Sequence, residues 1–263
     1  MTNVETNVRA LKVVRARRLL ESKFRIAQQA FLAEGPQAVR EAVSARLARE
    51  LFLTEESADR YPEILSSAGA HGVEVTLVIP EIIDVLSSAV TPQGMVAVVN
   101  NPDAAIDSVL NVDSKLVVAL ASVRDPGNAG SVIRVADAVA ADGVLTSADS
   151  VELQNPKVVR STAGSLFHLP CVEGIDLFEI IERARTLGLQ VLAADGSGEP
   201  LYSAVDLARP TLWIFGNEAW GLPNEVLSAV DQVVAIPIYG KAESLNLATA
   251  TAVCLYASAS AQR

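Results

Sequence analysis

Apolar residues in this chain fall into short continuous blocks, separated by stretches in which they recur every three or four positions. This is the alternation of strands and helices. In the first part, residues 36–48 read as a helix and the apolar runs at 50–53, 73–79 and 95–99 as strands. Helical stretches at 62–70 and 80–88 lie between them, which predicts a small α/β domain. Turn-forming residues then interrupt the pattern, first Asn100-Asn-Pro-Asp103 and then Asn111-Val-Asp-Ser114. They predict a boundary that divides the chain into domains 1–106 and 107–263. Beyond it, strands are expected at 116–123, 143–146, 189–193, 212–215 and 233–238. The helix at 131–141 carries a core stripe of Val132, Ile133, Val135, Ala136, Val139 and Ala140, which turns Arg134 outward. Uninterrupted Val, Ile and Leu runs are what a sheet covered on both faces requires, so this half reads as a Rossmann-like parallel α/β sheet.

The 263 residues are 50% hydrophobic and 5% aromatic, enough to bury a large and mainly aliphatic core. No apolar run is long enough to span a bilayer and the N-terminus has no signal-peptide pattern, so a cytoplasmic protein with no membrane partner is expected. Cys171 and Cys254 lie far apart without a CxxC pair, and His71 and His168 are the two histidines; no metal site or disulfide is expected, and both thiols are read as buried and reduced. The net charge of −10 argues by itself against nucleic acid. Its distribution changes that picture. Residues 1–25 hold Arg9, Lys12, Arg15, Arg17, Arg18, Lys23 and Arg25 against Glu5 and Glu21, a balance of +5 that leaves −15 on the rest. This segment is either a solvated amphipathic helix with Val8, Leu11, Val14 and Leu19 inward, or an arm that contacts RNA through Arg9, Arg15, Arg17, Arg18, Lys23 and Arg25.

Three segments carry candidate chemistry. Arg124-Asp-Pro-Gly-Asn-Ala-Gly-Ser-Val-Ile-Arg134 leaves a strand through a glycine-bearing turn and enters a helix, where ligands collect in parallel sheets. Asn128 is a helix cap or a ligand amide here, and Arg134 a surface cation or a functional one. The strand in Thr211-Leu-Trp-Ile-Phe-Gly-Asn-Glu-Ala-Trp-Gly-Leu-Pro-Asn-Glu225 ends in Gly216, Asn217 and Glu218, with Pro223 starting the next helix. Asn217 and Glu218 are either an ordinary polar turn, with Trp220 as a core or interface anchor, or part of a site. The third segment runs from Val233 through Ile236, Ile238 and Ser244-Leu-Asn246 into an Ala- and Thr-rich helix. Ser244 reads there as its N-cap.

In this order and spacing the three segments resemble the motifs of the SpoU/TrmH family of RNA ribose methyltransferases, of the SPOUT superfamily. The resemblance covers residue 113 to the C-terminus. Less distinctively, Phe31-Leu-Ala-Glu-Gly-Pro-Gln-Ala-Val-Arg40 resembles the start of the family's N-terminal substrate-binding domain, an α/β fold similar to RNA-binding ribosomal proteins. The resemblance implies a catalytic domain tied in a deep trefoil knot, a homodimer formed through that domain, and S-adenosylmethionine as cofactor. By motif it places Asn128, Arg134, Glu218, Ser244 and Asn246 at the catalytic site. It places Leu192, Ala193, Ala194, Gly216, Asn217, Ile236, Ile238 and Leu245 around the cofactor. The implied reaction is methyl transfer to a ribose 2′-oxygen, in ribosomal RNA of the large subunit rather than in transfer RNA, with no DNA partner. Two departures stand out. Leu247-Ala-Thr-Ala250 replaces a commoner Val-Ser-Val-Ala, and residues 22–31 lack the Gly often found before the Phe-Leu-x-Glu-Gly stretch, which leaves any role of Arg25 open.

Two other readings compete. A nicotinamide-dependent oxidoreductase would explain the α/β alternation, but no GxGxxG follows the first strand, and Gly196-Ser-Gly198 is too short and wrongly placed. A non-catalytic RNA-binding protein on the same fold is disfavoured by the full set of polar motif residues.

Overall fold

A computed structural model describes residues 4–263; Met1–Asn3, part of the predicted N-terminal domain, lie outside the described residues. The chain begins with helices α1 (Leu11–Arg18) and α2 (Ser22–Gln28), strand β1 (Ala30–Glu34), α3 (Pro36–Ser44), β2 (Ala48–Leu53), α4 (Glu55–Arg60), α5 (Pro62–Ala70), β3 (Glu74–Leu77), α6 (Pro80–Leu86) and β4 (Met95–Asn100). It continues with β5 (Leu116–Leu120), α7 (Pro126–Ala138), β6 (Gly143–Ser147), α8 (Pro156–Thr162), β7 (Cys171–Ile175), α9 (Leu177–Thr186), β8 (Gln190–Pro200), α10 (Leu201–Ala204), β9 (Thr211–Phe215), α11 (Asn224–Ala229), β10 (Gln232–Ala235) and α12 (Leu247–Ala261). These elements form two compact units. Among the described residues, the first is 4–103 together with 153–168, and the second is 104–152 together with 169–263. The excursion at 153–168 has no composition signal of its own, so a single boundary was the simplest reading of the sequence.

In the first unit the sheet order is β1-β4-β2-β3, with β4 antiparallel to both neighbours and β2 parallel to β3. Leu32, Phe52, Val96 and Val98 meet Val13, Ala16 and Leu19 in its core. The inner face of α1 is therefore Val13 and Ala16, continued by Leu19, rather than Val8, Leu11 and Val14. The helix starts only after Ala10, which sets this phase and leaves Leu11 83% exposed.

The excursion carries α8, whose Arg160 forms an ion pair with Glu34 at the end of β1. Glu34 is buried. Burial would raise its pKa, but Ser87 Oγ at 2.6 Å and the Ser88 amide at 2.8 Å both donate to it and, with Arg160, hold it below the usual range. The predicted helix at 36–48 ends at Ser44, because β2 begins at Ala48.

In the second unit all six strands are parallel, in the order β10-β8-β9-β5-β6-β7. Val117, Ala119, Leu145, Val191, Leu212 and Ile214 form the core beneath Ile180, Ile181 and Ala184 of α9. The central strands are buried along their whole length, which is why they read as continuous apolar runs. β7 gave no such signal, since its pattern is partly exposed and contains Glu173 and Gly174. Helix α7 begins at Pro126, five residues before the predicted start. Asp125 caps it by accepting from the Asn128 amide at 2.8 Å, and a proline fits the first helical position.

After β5 the chain moves outward to β6 and β7, then crosses back to β8, and β9 lies between β8 and β5. The turns that follow β5 and β9 thus meet at the point where the strand order reverses, the place at which open parallel sheets hold ligands.

Candidate active site

Three loops at the carboxyl ends of these strands carry the motif residues. Asn128, in the first turn of α7, is the joint between the other two. Its Nδ2 donates to Glu218 Oε1 at 2.5 Å, and its Oδ1 accepts from Asn246 Nδ2 at 2.9 Å. Asn128 is free to do this because Asp125, not Asn128, caps the helix. Asn246 in turn caps α12, its Oδ1 accepting from Ala248 N at 2.9 Å and Thr249 N at 3.4 Å. Ser244 is therefore not the N-cap; the helix starts at Leu247, and a cap must stand directly before the first helical residue.

The turn after β9 is rigid. Asn217 and Gly221 exchange backbone hydrogen bonds at 2.9 and 3.1 Å, Gly221 has a φ of +69°, and Asn217 Oδ1 accepts from the Ala219 amide at 2.8 Å. Asn217 is buried, and its Nδ2 donates at 2.7 Å to the carbonyl of Ser122, which ties this turn to the one after β5. A Cβ on Gly216 would sit 2.5 Å from the Gly221 carbonyl group, so glycine is required for the turn to close.

Beside this cluster lies a cavity of about 220 Å³. Its apolar wall includes Phe215, Val234, Ile236, Ile238, Leu245 and Leu247, and Asp195, Glu218, Glu243 and Ser244 bring polar groups to it. Of the eight expected cofactor positions, Ala194, Gly216, Asn217, Ile236, Ile238 and Leu245 line it. Leu192 and Ala193 do not; they are buried inside β8, whose cavity-facing part begins one residue later at Ala194. Asp195, Gly196 and Glu243 were missed. Their signal was position alone: Asp195 and Gly196 directly follow the β8 residues that pair with β9.

Arg134 is exposed on α7, and it makes no hydrogen bond or ion pair among the described residues. Six residues beyond Asn128, it stands about 9 Å further along the axis and on another side of the helix. The fold of one chain does not join it to the Asn128 cluster.

The basic N-terminal residues divide. Arg9, Arg17 and Arg18 are exposed, and Arg18 and Lys23 both lie over the Phe24 ring, at 5.4 and 5.0 Å. Arg15 pairs with Glu50 at 2.7 Å and Lys23 with Glu21 at 2.9 Å. Arg25 is buried instead, and its Nη1 donates at 2.9 Å to the carbonyls of both Leu19 and Leu20, just past the end of α1. The expectation that Arg25 contacts RNA is corrected on this ground: its charge closes the open carbonyl end of a helix.

Residues 115–256 match the profile of the SpoU rRNA Methylase family, and residues 11–97 that of the MRM3-like substrate binding domain. The first match spans more than half of the chain. This chain belongs to the SpoU rRNA methylase family. Like the family's other members it is a methyltransferase with S-adenosylmethionine as cofactor. Its fold is that of the SPOUT methyltransferases. An rRNA methyltransferase from Sinorhizobium meliloti with bound AdoMet superposes with a TM-score of 0.85 at 28% identity, over 98% of this chain and 97% of that one. AviRb of Streptomyces viridochromogenes, a SpoU methyltransferase in complex with AdoMet, gives 0.85 at 30% identity over 96% and 98%. Among curated relatives, the 23S rRNA guanosine 2′-O-methyltransferase RlmP of Bacillus subtilis is 29% identical over 246 residues, 93% of this chain and 94% of its own length.

The cavity suits the SpoU cofactor chemically. An adenine ring needs apolar walls, which Ile236, Ile238 and Leu245 supply, while ribose hydroxyls and a cationic sulfonium favour nearby carboxylates such as Asp195, Glu218 and Glu243. Among the described residues there is no cluster of side chains fit to hold a metal ion.

Proposed function

We propose that this SpoU methyltransferase modifies a ribose 2′-oxygen of large-subunit ribosomal RNA. The single observation that carries the reading is the hydrogen-bonded chain Glu218–Asn128–Asn246, which meets the cofactor cavity at Glu218. Relatives that align over most of this chain, such as RlmP, carry 23S rRNA 2′-O-methyltransferase names and support the choice of target. The substrate-binding domain matched at residues 11–97 supports it too.

The cofactor supplies a methyl group on a positively charged sulfur. Bound in the cavity, it would give that methyl group to the ribose oxygen and leave as a neutral thioether, with the hydroxyl proton passing to solvent or a nearby acceptor. A neutral hydroxyl is a poor nucleophile, so the protein must orient it and stabilise the charge that develops on its oxygen. Asn128, Glu218, Ser244 and Asn246 are assigned to orienting the ribose. A guanidinium is a planar cation with five donors and no acceptor, which suits Arg134 to holding the substrate phosphate and countering the developing alkoxide rather than to accepting a proton.

Arg9, Arg15, Arg17, Arg18 and Lys23 give an otherwise acidic chain a local positive field for RNA. A homodimer through the C-terminal domain, the trefoil knot and a cytoplasmic location belong to the same reading. The density of Ala, Ser and Thr on α12 suits close helix packing, and no helix among the described residues is long and apolar enough to cross a membrane.

The test is to map 2′-O-methyl groups in ribosomal and transfer RNA from cells with and without the gene. One large-subunit position that loses its methyl group is the expected result; unchanged ribosomal RNA with a loss in transfer RNA would overturn the target.

A further inference from the structure

Trp220 and Arg124 take no part in the cluster or the cavity described above. The chain has two tryptophans, and their environments are opposite. Trp213 is fully buried, with its Nε1 donating to Ser258 Oγ at 2.9 Å. Trp220 is 55% exposed at the tip of the turn locked by Asn217 and Gly221. An exposed indole costs solubility, and Trp220 belongs neither to the buried core of this unit nor to the cavity lining. The exposed guanidinium of Arg124 lies 5.2 Å from the centre of its ring, covering one side of it. Both residues stand next to the catalytic cluster, Trp220 two positions after Glu218 and Arg124 four before Asn128.

We propose that Trp220 and Arg124 form a stacking platform for an unpaired nucleobase of the RNA, adjacent to the site of methyl transfer. The inference rests on the reading of the chain as an RNA methyltransferase. Sequence-specific and single-stranded RNA recognition relies on bases splayed onto aromatic rings and guanidinium planes. A rigid turn presents such a ring without an ordering cost at binding. The guanidinium enriches the platform with a positive charge for the neighbouring phosphate. A base held here fixes its nucleotide relative to Asn128 and Glu218, which makes the platform a determinant of which ribose is presented.

The test uses the full-length protein with S-adenosylmethionine and a short single-stranded RNA, compared with the same strand carrying abasic residues. Subtracting the emission of Trp220→Phe, which retains Trp213, isolates the signal of Trp220. The expected result is that the base-bearing RNA quenches Trp220 and shields it from acrylamide, whereas the abasic strand does neither. Trp220→Ala should weaken RNA binding by about tenfold, within the range of one base stacked on an aromatic ring. Trp220→Phe should largely restore it, and cofactor affinity should not change in either variant.

Equal effects of the two strands, or unchanged RNA binding by Trp220→Ala, would overturn the platform. So would shielding of Trp220 that grows with protein concentration alone, which would mean that a second copy covers it. Base-dependent quenching without methyl transfer to any ribosomal RNA would instead count against the proposed function and leave the platform standing.

Discussion

Asn128 and Glu218, 90 positions apart in sequence, are joined by a 2.5 Å hydrogen bond from Asn128 Nδ2 to Glu218 Oε1. Because Asp125 takes over the capping of α7 and β9 lies directly beside β5, the amide can bridge two loops and reach Asn246 on a third. Its substitution should be costly for function and cheap for stability. Asn128→Ala is expected to lower the single-turnover methyl-transfer rate by about 100-fold or more, in line with loss of a positioning group. Its melting temperature should stay within about 2 °C of the parent. A comparable loss of folding stability would show that the bridge is structural.

Asn246 has two roles that different substitutions separate. Asn246→Ala removes the cap of α12 and should cost about 1 kcal/mol, seen as a fall of about 2–4 °C in melting temperature, together with methyl transfer. Asn246→Ser keeps a capping oxygen but is too short to reach Asn128, so it should keep most of the stability and still lose activity. Calorimetry paired with a tritium-transfer assay reads both.

Arg134→Ala should abolish methyl transfer while leaving S-adenosylmethionine affinity intact, since Arg134 is exposed and does not line the cavity. Arg134→Lys then separates charge from the planar, bidentate geometry of arginine. An active Arg134→Ala protein, measured in single turnover, would remove Arg134 from the mechanism.

Two arginines of the N-terminal segment should behave oppositely. Arg17→Ala should leave folding unchanged and reduce the slope of log affinity for RNA against log salt by about one. Arg25→Ala strands one buried and one part-buried carbonyl and should destabilise the protein by about 2 kcal/mol, with denaturation in urea as the readout.

Glu34 makes the first unit sensitive to acid. Its folded pKa lies below its unfolded value near 4.5, so its stabilising contribution is complete above that value and is lost as pH falls through the folded pKa. Glu34→Gln should therefore be less stable than the parent at pH 7, and the difference should shrink as the pH is lowered below about 4.5. A difference constant from pH 7 to pH 3 would show that the Ser87, Ser88 and Arg160 contacts do not depend on the charge.

The thiols follow the same logic. Cys254 is buried, whereas Cys171, expected to be buried too, is only partly so; desolvation, with Glu173 and Asp137 adding to it at Cys171, pushes both thiols up to about 12. Neither should react with iodoacetamide in the native state at pH 8, because the thiolate is the nucleophile.

The sequence alone determined the parallel sheet of the second unit, since strands buried on both faces must be largely apolar and the runs at 116–120 and 212–215 are. Its resemblance to the SpoU motifs pointed to Gly216, Ile236 and Leu245, which line one cavity. Tertiary structure decided the rest. Whether Asn128 or Ser244 would cap a helix or face a ligand was open in the sequence, because one amide or hydroxyl serves either purpose. Only the helix starts at Pro126 and Leu247 settled it. The charge of Arg25 read like those of Arg17 and Arg18, and burial against the carbonyls of Leu19 and Leu20 set it apart. The excursion at 153–168 and the meeting of Asn128 with Glu218 are long-range pairings. They follow from strand order, which local periodicity does not encode.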